Sequence, residues 1–288
     1  MEFAKAHGLG NDFLLVDARS FPARSAASFT RRLCDRHAGV GADGVLVYEL
    51  RPPGGVQMRL INADGSDAEI SGNGVRCLAA YMVRRGLLPA RHTVETVPGP
   101  RAVEVFAIAD GRYRVSTDLG APALASDAIP VDAPEPRATV IDQPLEAAGR
   151  TVSVTATSLG NPHCSVFVEE PASDELMSAL GPALERHPFF PKRTNVEFVT
   201  VLSRQQVRAR FWERGVGPTR ASGTGAAAAM VASVLKGLTD RRVRVECDGG
   251  TLDVEWPEDS SVKQTGEVEV LFEGRWVANS AAPREGAG

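Results

Sequence analysis

A short glycine-rich turn occurs twice in this chain, and the repeat limits the fold more than any other feature. Ser71-Gly72-Asn73-Gly74-Val75-Arg76-Cys77 returns 151 residues later as Ser222-Gly223-Thr224-Gly225-Ala226-Ala227-Ala228. Each copy leads into an apolar run with helical character, and each run stops at a glycine followed by leucine, Gly86-Leu87 and Gly237-Leu238. The same spacing then links Val94-Glu95 to Val245-Glu246 and Val103-Glu104 to Val254-Glu255. Upstream the spacing slips by one residue, so that Leu9-Gly10-Asn11 matches Leu159-Gly160-Asn161 and Arg36-His37 matches Arg186-His187. Ordered correspondences over so long a period describe a duplicated domain, since the period far exceeds that of a solenoid. A length of 288 residues agrees with two domains. The expected fold is therefore α/β (α+β), built from two pseudo-symmetric halves.

Boundaries follow from composition. Residues 1–118 form the first half, which the last strand candidate, at about 264–277, is expected to complete. The stretch 119–150 is rich in alanine and carries Pro122, Pro130, Pro134, Pro136 and Pro144, so it reads as a connector. The second half spans 119–263, and 278–288 reads as a flexible tail. Within the halves, Phe13–Val16, Val45–Tyr48 and Met58–Ile61 read as strands, as do stretches within Val152–Val168 and Asn195–Trp212. A helix is expected from Ser28, as N-cap, to Arg36, another from about Ser173 to Glu185, and a final strand from Val268 to Phe272.

Several function classes fall away. A net charge of −4 offers no basic footprint for nucleic acid or an anionic membrane. The apolar run Ala226–Leu235 is too short to span a bilayer, and the N-terminus lacks signal-peptide architecture. The expectation is a cytoplasmic protein with no membrane or nucleic-acid partner. Cys34, Cys77, Cys164 and Cys247 show neither metal-ligand nor disulfide spacing, so no metal is expected. Neither turn fits a P-loop, a dinucleotide fingerprint or a G-x-S-x-G elbow, and neither contains a lysine for pyridoxal phosphate. No cofactor is expected.

The chemistry left is that of helix starts. Free N–H groups and the positive end of the helix dipole favour an anion such as a carboxylate, and glycines let a ligand approach the backbone. Taken singly, each turn would be an ordinary serine N-cap. Two such turns related by a pseudo-twofold can present matched groups to opposite faces of one substrate, as inversion of a carbon centre by proton transfer requires. The oriented N–H donors would stabilise the developing enolate.

At these residues the chain resembles the diaminopimelate epimerase family. The resemblance covers His7-Gly8-Leu9-Gly10-Asn11-Asp12-Phe13, Arg36–Gly44, Asn62-Ala63-Asp64-Gly65-Ser66, Gly160-Asn161-Pro162-His163-Cys164, Glu213-Arg214-Gly215 and the two turns. It implies two halves, each with a sheet wrapped around a central helix, and cofactor-independent epimerisation of LL-2,6-diaminopimelate to the meso form. The implied partner is a small amino-acid substrate, and the implied assembly is a homodimer. In that family the acid/base positions hold cysteines; here they are Ser71 and Ser222. Carried over by position, Asn11, Asn62, Asn161, Asn195, Glu213 and Arg214 would grip the amino-acid ends, and Gly72, Asn73, Gly223 and Thr224 the carboxylate. An alcohol is a far weaker acid than a thiol of pKa about 8.5, so a serine needs a neighbouring base. His163, Asp64 and Glu213 are the candidates. Cys77 lies about 600° around the helix from the turn and is expected in the core. Pro218 stands where the family usually has an acidic residue and removes a backbone donor near the second turn. Two alternatives remain open: a racemase or isomerase of another amino acid, and a catalytically silent amino-acid-binding homologue.

Overall fold

The computed structural model describes residues 1–68, 70–258 and 260–277; the expected tail at 278–288 lies outside them. The first half runs β1 (Glu2–Gly8), β2 (Asn11–Asp17), α1 (Ala26–Cys34), β3 (Gly44–Arg51), β4 (Gly55–Asn62), β5 (Asp67–Ala68), α2 (Gly72–Arg84), β6 (Arg91–Thr96), β7 (Gly99–Ala109) and β8 (Arg112–Asp118). The second runs β9 (Val140–Ala147), β10 (Arg150–Ser158), β11 (Pro162–Phe167), α3 (Asp174–Glu185), β12 (Asn195–Ser203), β13 (Gln206–Glu213), β14 (Gly217–Thr219), α4 (Gly223–Leu235), β15 (Arg242–Cys247), β16 (Gly250–Glu255) and β17 (Lys263–Arg275).

In the first half a closed ladder surrounds α2. It passes from β17 through β1, β2, β3, β4, β6, β7 and β8 and returns to β17. The second half lays β9, β10, β11, β12, β13, β15, β16 and the start of β17 around α4 in the corresponding order. Parallel pairs occur at matching places: Phe13 opposite Gly44 corresponds to His163 opposite Asn195, and Gly55 opposite Thr93 to Gln206 opposite Arg244. The strand β17 serves both halves. Its first residues pair with β16 and β8, and its later ones with β1.

Each central helix is held by burial. Val75, Leu78, Ala79 and Met82 of α2 pack against inward-facing residues such as Leu15, Leu46 and Val115. Helix α4 is apolar nearly all round, and Ala226–Ala232 are fully buried among residues such as Val199, Phe211 and Val245. A side chain the size of Leu or Met contributes about 1.5–3 kcal/mol when removed from water, and in α4 every face collects such contacts. Helices α1 and α3 lie outside the ladders, with separate cores against β3 and β4 and against β12 and β13.

Three expectations need adjustment. Helix α1 begins at Ala26 rather than after Ser28, because the Ser28 hydroxyl bonds back to the Ser25 carbonyl at 3.1 Å and caps nothing. Within the expected connector, residues 140–147 form β9, which pairs with β10. Pro144 is tolerated there because β9 has a partner on one side only among the described residues. The last strand is longer than Val268–Phe272 and runs from Lys263 to Arg275, since three neighbours supply its ladder.

Candidate active site

The two repeated turns meet. Ser71 and Ser222 cap α2 and α4 with nearly identical backbone angles, φ −129° and ψ 122° against φ −130° and ψ 127°. Their Oγ atoms accept from the Gly74 and Gly225 N–H groups at 3.1 and 3.2 Å. A methyl group built on Gly72 would lie 3.4 Å from the Gly223 Cα, and one on Gly223 would lie 3.3 Å from the Gly72 Cα. A side chain on Gly223 would also crowd Gln264 Oε1 at 3.1 Å, so this close approach suits glycine. Two helix N-termini therefore face one spot, and the partial positive charges of both reinforce each other.

Asparagines flank the turns in matching fashion. In the first half Asn73 Nδ2 donates to Asn11 Oδ1 at 3.2 Å, and Asn11 Nδ2 donates to Asp43 at 2.7 Å. In the second, Asn161 Nδ2 donates to Thr224 Oγ1 at 3.4 Å, and its Oδ1 is 3.0 Å from His163 Nε2. The other ring nitrogen of His163 is 2.6 Å from Glu197 Oε1, with both side chains fully buried. Both ring nitrogens thus face oxygen atoms, Asn161 Oδ1 on one side and the Glu197 carboxyl on the other. Burial raises the Glu197 carboxyl, while His163 and Ser165 pull it back.

Of the three candidate bases, Glu213 is the one brought to a repeated serine. Its carboxylate accepts from Thr219 Oγ1 at 3.2 Å, and Ser222 is close enough to help hold its pKa down. Burial raises its pKa against those two neighbours. His163 is committed to Glu197 and Asn161. Asp64 is exposed, and its Oδ1 accepts from the Ser66 amide and hydroxyl.

The remaining expected residues have partners of their own. Asn62 ends β4 and donates to Ser66 Oγ at 3.1 Å. Asn195 donates to the Pro162 carbonyl at 3.0 Å and accepts from the Arg214 amide at 2.9 Å, so its amide holds the chain around Arg214. The Arg214 guanidinium donates to the Lys192 carbonyl at 3.2 Å. Pro218 is exposed on β14, opposite Trp212. Cys77 and Cys164 are fully buried, and burial pushes the Cys77 thiol up to about 12 and the Cys164 thiol well above its ordinary value.

Sequence reading passed over Arg76, Gln264, Thr219 and Glu197. Arg76 carried one signal, a charge within the apolar stretch Val75–Met82. Nothing local marked Gln264. Among the described residues no cluster of three or more metal-ligating side chains occurs, and no helix is long and apolar enough to cross a membrane.

Solved structures share this duplicated fold. A probable proline racemase from Agrobacterium radiobacter superposes with a TM-score of 0.66 at 14% identity, over 98% of this chain and 94% of that one. A phenazine biosynthesis protein of the PhzF family from Bacillus anthracis gives 0.65 at 15% identity, over 96% and 99%. Sequence narrows the class. The diaminopimelate epimerase family model matches residues 3–124 and 155–271. The diaminopimelate epimerase of Pelotomaculum thermopropionicum is 45% identical over 96% of this chain and 99% of its own, and that of Desulforudis audaxviator 47% over the same shares. The chain belongs to the diaminopimelate epimerase family and is an isomerase.

Proposed function

We propose that the protein interconverts LL- and meso-diaminopimelate in the cytoplasm by inverting one α-carbon without a cofactor, using Ser71 and Ser222 on opposite faces of the substrate. The observation that carries this reading is the contact between Gly72 and Gly223, which sets the two serine-capped helix starts against each other. The substrate carboxylate would sit against the N–H groups of both turns, flanked by Asn11, Asn73, Asn161 and Thr224. Asn62, Asn195, Glu213 and Arg214 would line the remaining ends. In this reading the working unit is the pair of halves, 1–118 with the last strand and 119–263.

Proton removal begins at Ser222. As its Oγ takes the α-proton, its own hydroxyl proton passes to the Glu213 carboxylate, so no free alkoxide forms. Negative charge grows on the substrate carboxylate, where the helix starts stabilise it. The Ser71 hydroxyl donates its proton to the opposite face while taking one from a solvent molecule in the same step, since it is partly open to solvent, and the proton held by Glu213 then passes to solvent and restores the site.

Proton NMR of LL-diaminopimelate in D₂O tests the reading. Loss of the α-proton signal with appearance of the meso isomer is expected, and Ser71→Ala or Ser222→Ala should each abolish inversion. The double variant Ser71→Cys, Ser222→Cys should raise the rate by roughly 100-fold, because a thiolate forms far more readily than an alkoxide. Calorimetric binding with no exchange would overturn turnover by the serine pair and leave an amino-acid-binding scaffold.

A further inference from the structure

Beneath the point where the turns meet lies a fully buried arginine. Arg76 Nη1 donates to Gln264 Oε1 at 2.6 Å, and Nη2 donates to Asn73 Oδ1. Its Nη1 is 3.8 Å from where a Gly72 Cβ would stand. Gln264, also fully buried, passes the contact on: its Nε2 donates to the Gly223 carbonyl at 2.6 Å. A polar chain therefore runs from Asp43 through Asn11, Asn73, Arg76 and Gln264 into the first turn of α4.

This arginine has no carboxylate partner among the described residues. Its acceptors are two neutral amides, and Nε is buried without any. Burial lowers the guanidinium to about 10, which leaves it protonated at neutral pH. A buried charge without a counter-charge costs several kcal/mol, and a Leu or Met would fill the same place in α2 without that cost. The charge makes sense if its complement arrives from outside the protein.

We infer that Arg76 is a positioning residue of the site, locking the two turns in register through Gln264 and Asn73 and supplying the positive charge that complements an anion held where they meet. The inference rests on reading the turns as a carboxylate site. Arg76 acts through Asn73 and Gln264 and through its field. Because it donates to Asn73 Oδ1, Asn73 must offer Nδ2 to Asn11, which fixes how both amides are turned.

A reporter thiol measures the field without any substrate. Ser71→Cys places a titratable group on the turn, and the four native cysteines are buried. The pH dependence of iodoacetamide labelling at position 71, followed by mass spectrometry, gives the reporter's pKa. Adding Arg76→Met should raise it by roughly one unit or more, as expected for losing a cation at close range. Adding Arg76→Lys should move it by less than about half of that. Arg76→Gln, neutral but hydrogen-bonding, should behave like Arg76→Met and serves where Met fails to fold. In the serine protein, Arg76→Met or Arg76→Gln should weaken LL-diaminopimelate binding by about tenfold, and Arg76→Lys by less. A reporter pKa that does not move on neutralising Arg76 would overturn the inference. Absence of diaminopimelate binding to the unsubstituted protein would instead sink the substrate reading, and the reporter would still decide the role of Arg76.

Discussion

The two halves share a backbone and differ in charge. Their cap angles agree within 5°, their parallel strand pairs fall at matching places, and both central helices end in the same motif. Under those caps the chemistry diverges. The first half orients its asparagine with Asp43 and Asn73 and brings a buried cation, Arg76, against the turn. The second half orients Asn161 with His163, itself held by Glu197, and has Ala227 where the first has Arg76. At the strand ends before the turns, Asn62 in β4 answers to Glu213 in β13. Duplication thus retained the solution for facing two helix starts. The side chains beneath diverged, one half placing a buried arginine behind its turn and the other a carboxyl, Glu213, beside its serine.

Breaking the acceptor half should have the largest effect. Glu213→Gln is expected to lower α-proton exchange by roughly 100-fold or more, whereas Asn62→Ala should mainly raise KM. The two serines should differ in the same sense. Ser71→Ala, which leaves the Ser222–Glu213 pair intact, should still exchange the α-proton of one stereoisomer without inverting it, while Ser222→Ala should lose exchange and inversion together. NMR in D₂O with each isomer separates these outcomes, and equal loss in both serine variants would remove the asymmetry. The pH profile gives a further check. Burial raises Glu213 above its ordinary value of 4.5, so the basic form appears only as pH climbs past that value, and exchange should rise accordingly. For stability the sign is opposite. The folded state holds this proton more tightly than the unfolded chain, so the contribution is full below the unfolded pKa and is lost as pH rises through the folded one. Glu213→Gln should therefore be as stable as the parent at neutral pH, or more so, while exchanging the α-proton far more slowly.

The second glycine of each turn distinguishes the halves through packing. A Cβ on Gly225 would stand 2.9 Å from Phe211 Cδ1 and 3.0 Å from both Ser222 Cβ and Oγ. Phe211 is a buried ring with no room to retreat. A Cβ on Gly74 would meet Leu46 Cδ2 at 3.1 Å and Ser71 Cβ at 3.3 Å, and the leucine tip can turn aside. Gly225→Ala should cost about 1–3 kcal/mol and displace the serine. Gly74→Ala should change stability by less than about 1 kcal/mol, because the gain in helix propensity offsets the contact. Urea unfolding of both variants measures the difference.

Much of the shared backbone is legible in sequence, because caps, glycine stops and alternating strands are local signals. Ser71, Ser222, Gly86 and Gly237 all stand where those signals place them. Strand β9 escaped because Pro144 and the surrounding alanines imitate a connector, and only a partner on one side makes that proline harmless. The asparagines beside the turns could be named from the resemblance, but not the way each is held. Gln264 reaches Arg76 across 188 residues of sequence, and no periodicity announces such a pairing. Glu213 stood level with His163 and Asp64 until folding gave the latter two other partners. Sequence marks where a helix begins; tertiary contact decides which charge lies under it.

The helix ends supply the smallest effect and the control for the rest. Gly86 and Gly237 have φ of 64° and 69°, and a Cβ on either would meet no heavy atom within 4 Å. The N–H groups of Gly86 and Leu87 return to Val83 and Met82, and those of Gly237 and Leu238 return to Val234 and Ser233, at 2.9–3.0 Å. This is the Schellman closure, which needs a left-handed residue in the glycine's place. Alanine there meets no clash, so its penalty is the backbone conformation alone, about 1–2 kcal/mol. Asparagine, which tolerates that conformation, should cost less. The loss should be equal for Gly86→Ala and Gly237→Ala, since neither end touches the charged groups that set the halves apart. Unequal losses would mean that the difference between the halves extends beyond the meeting turns into the helices themselves, and the contrast at Gly74 and Gly225 could no longer be assigned to Phe211 alone.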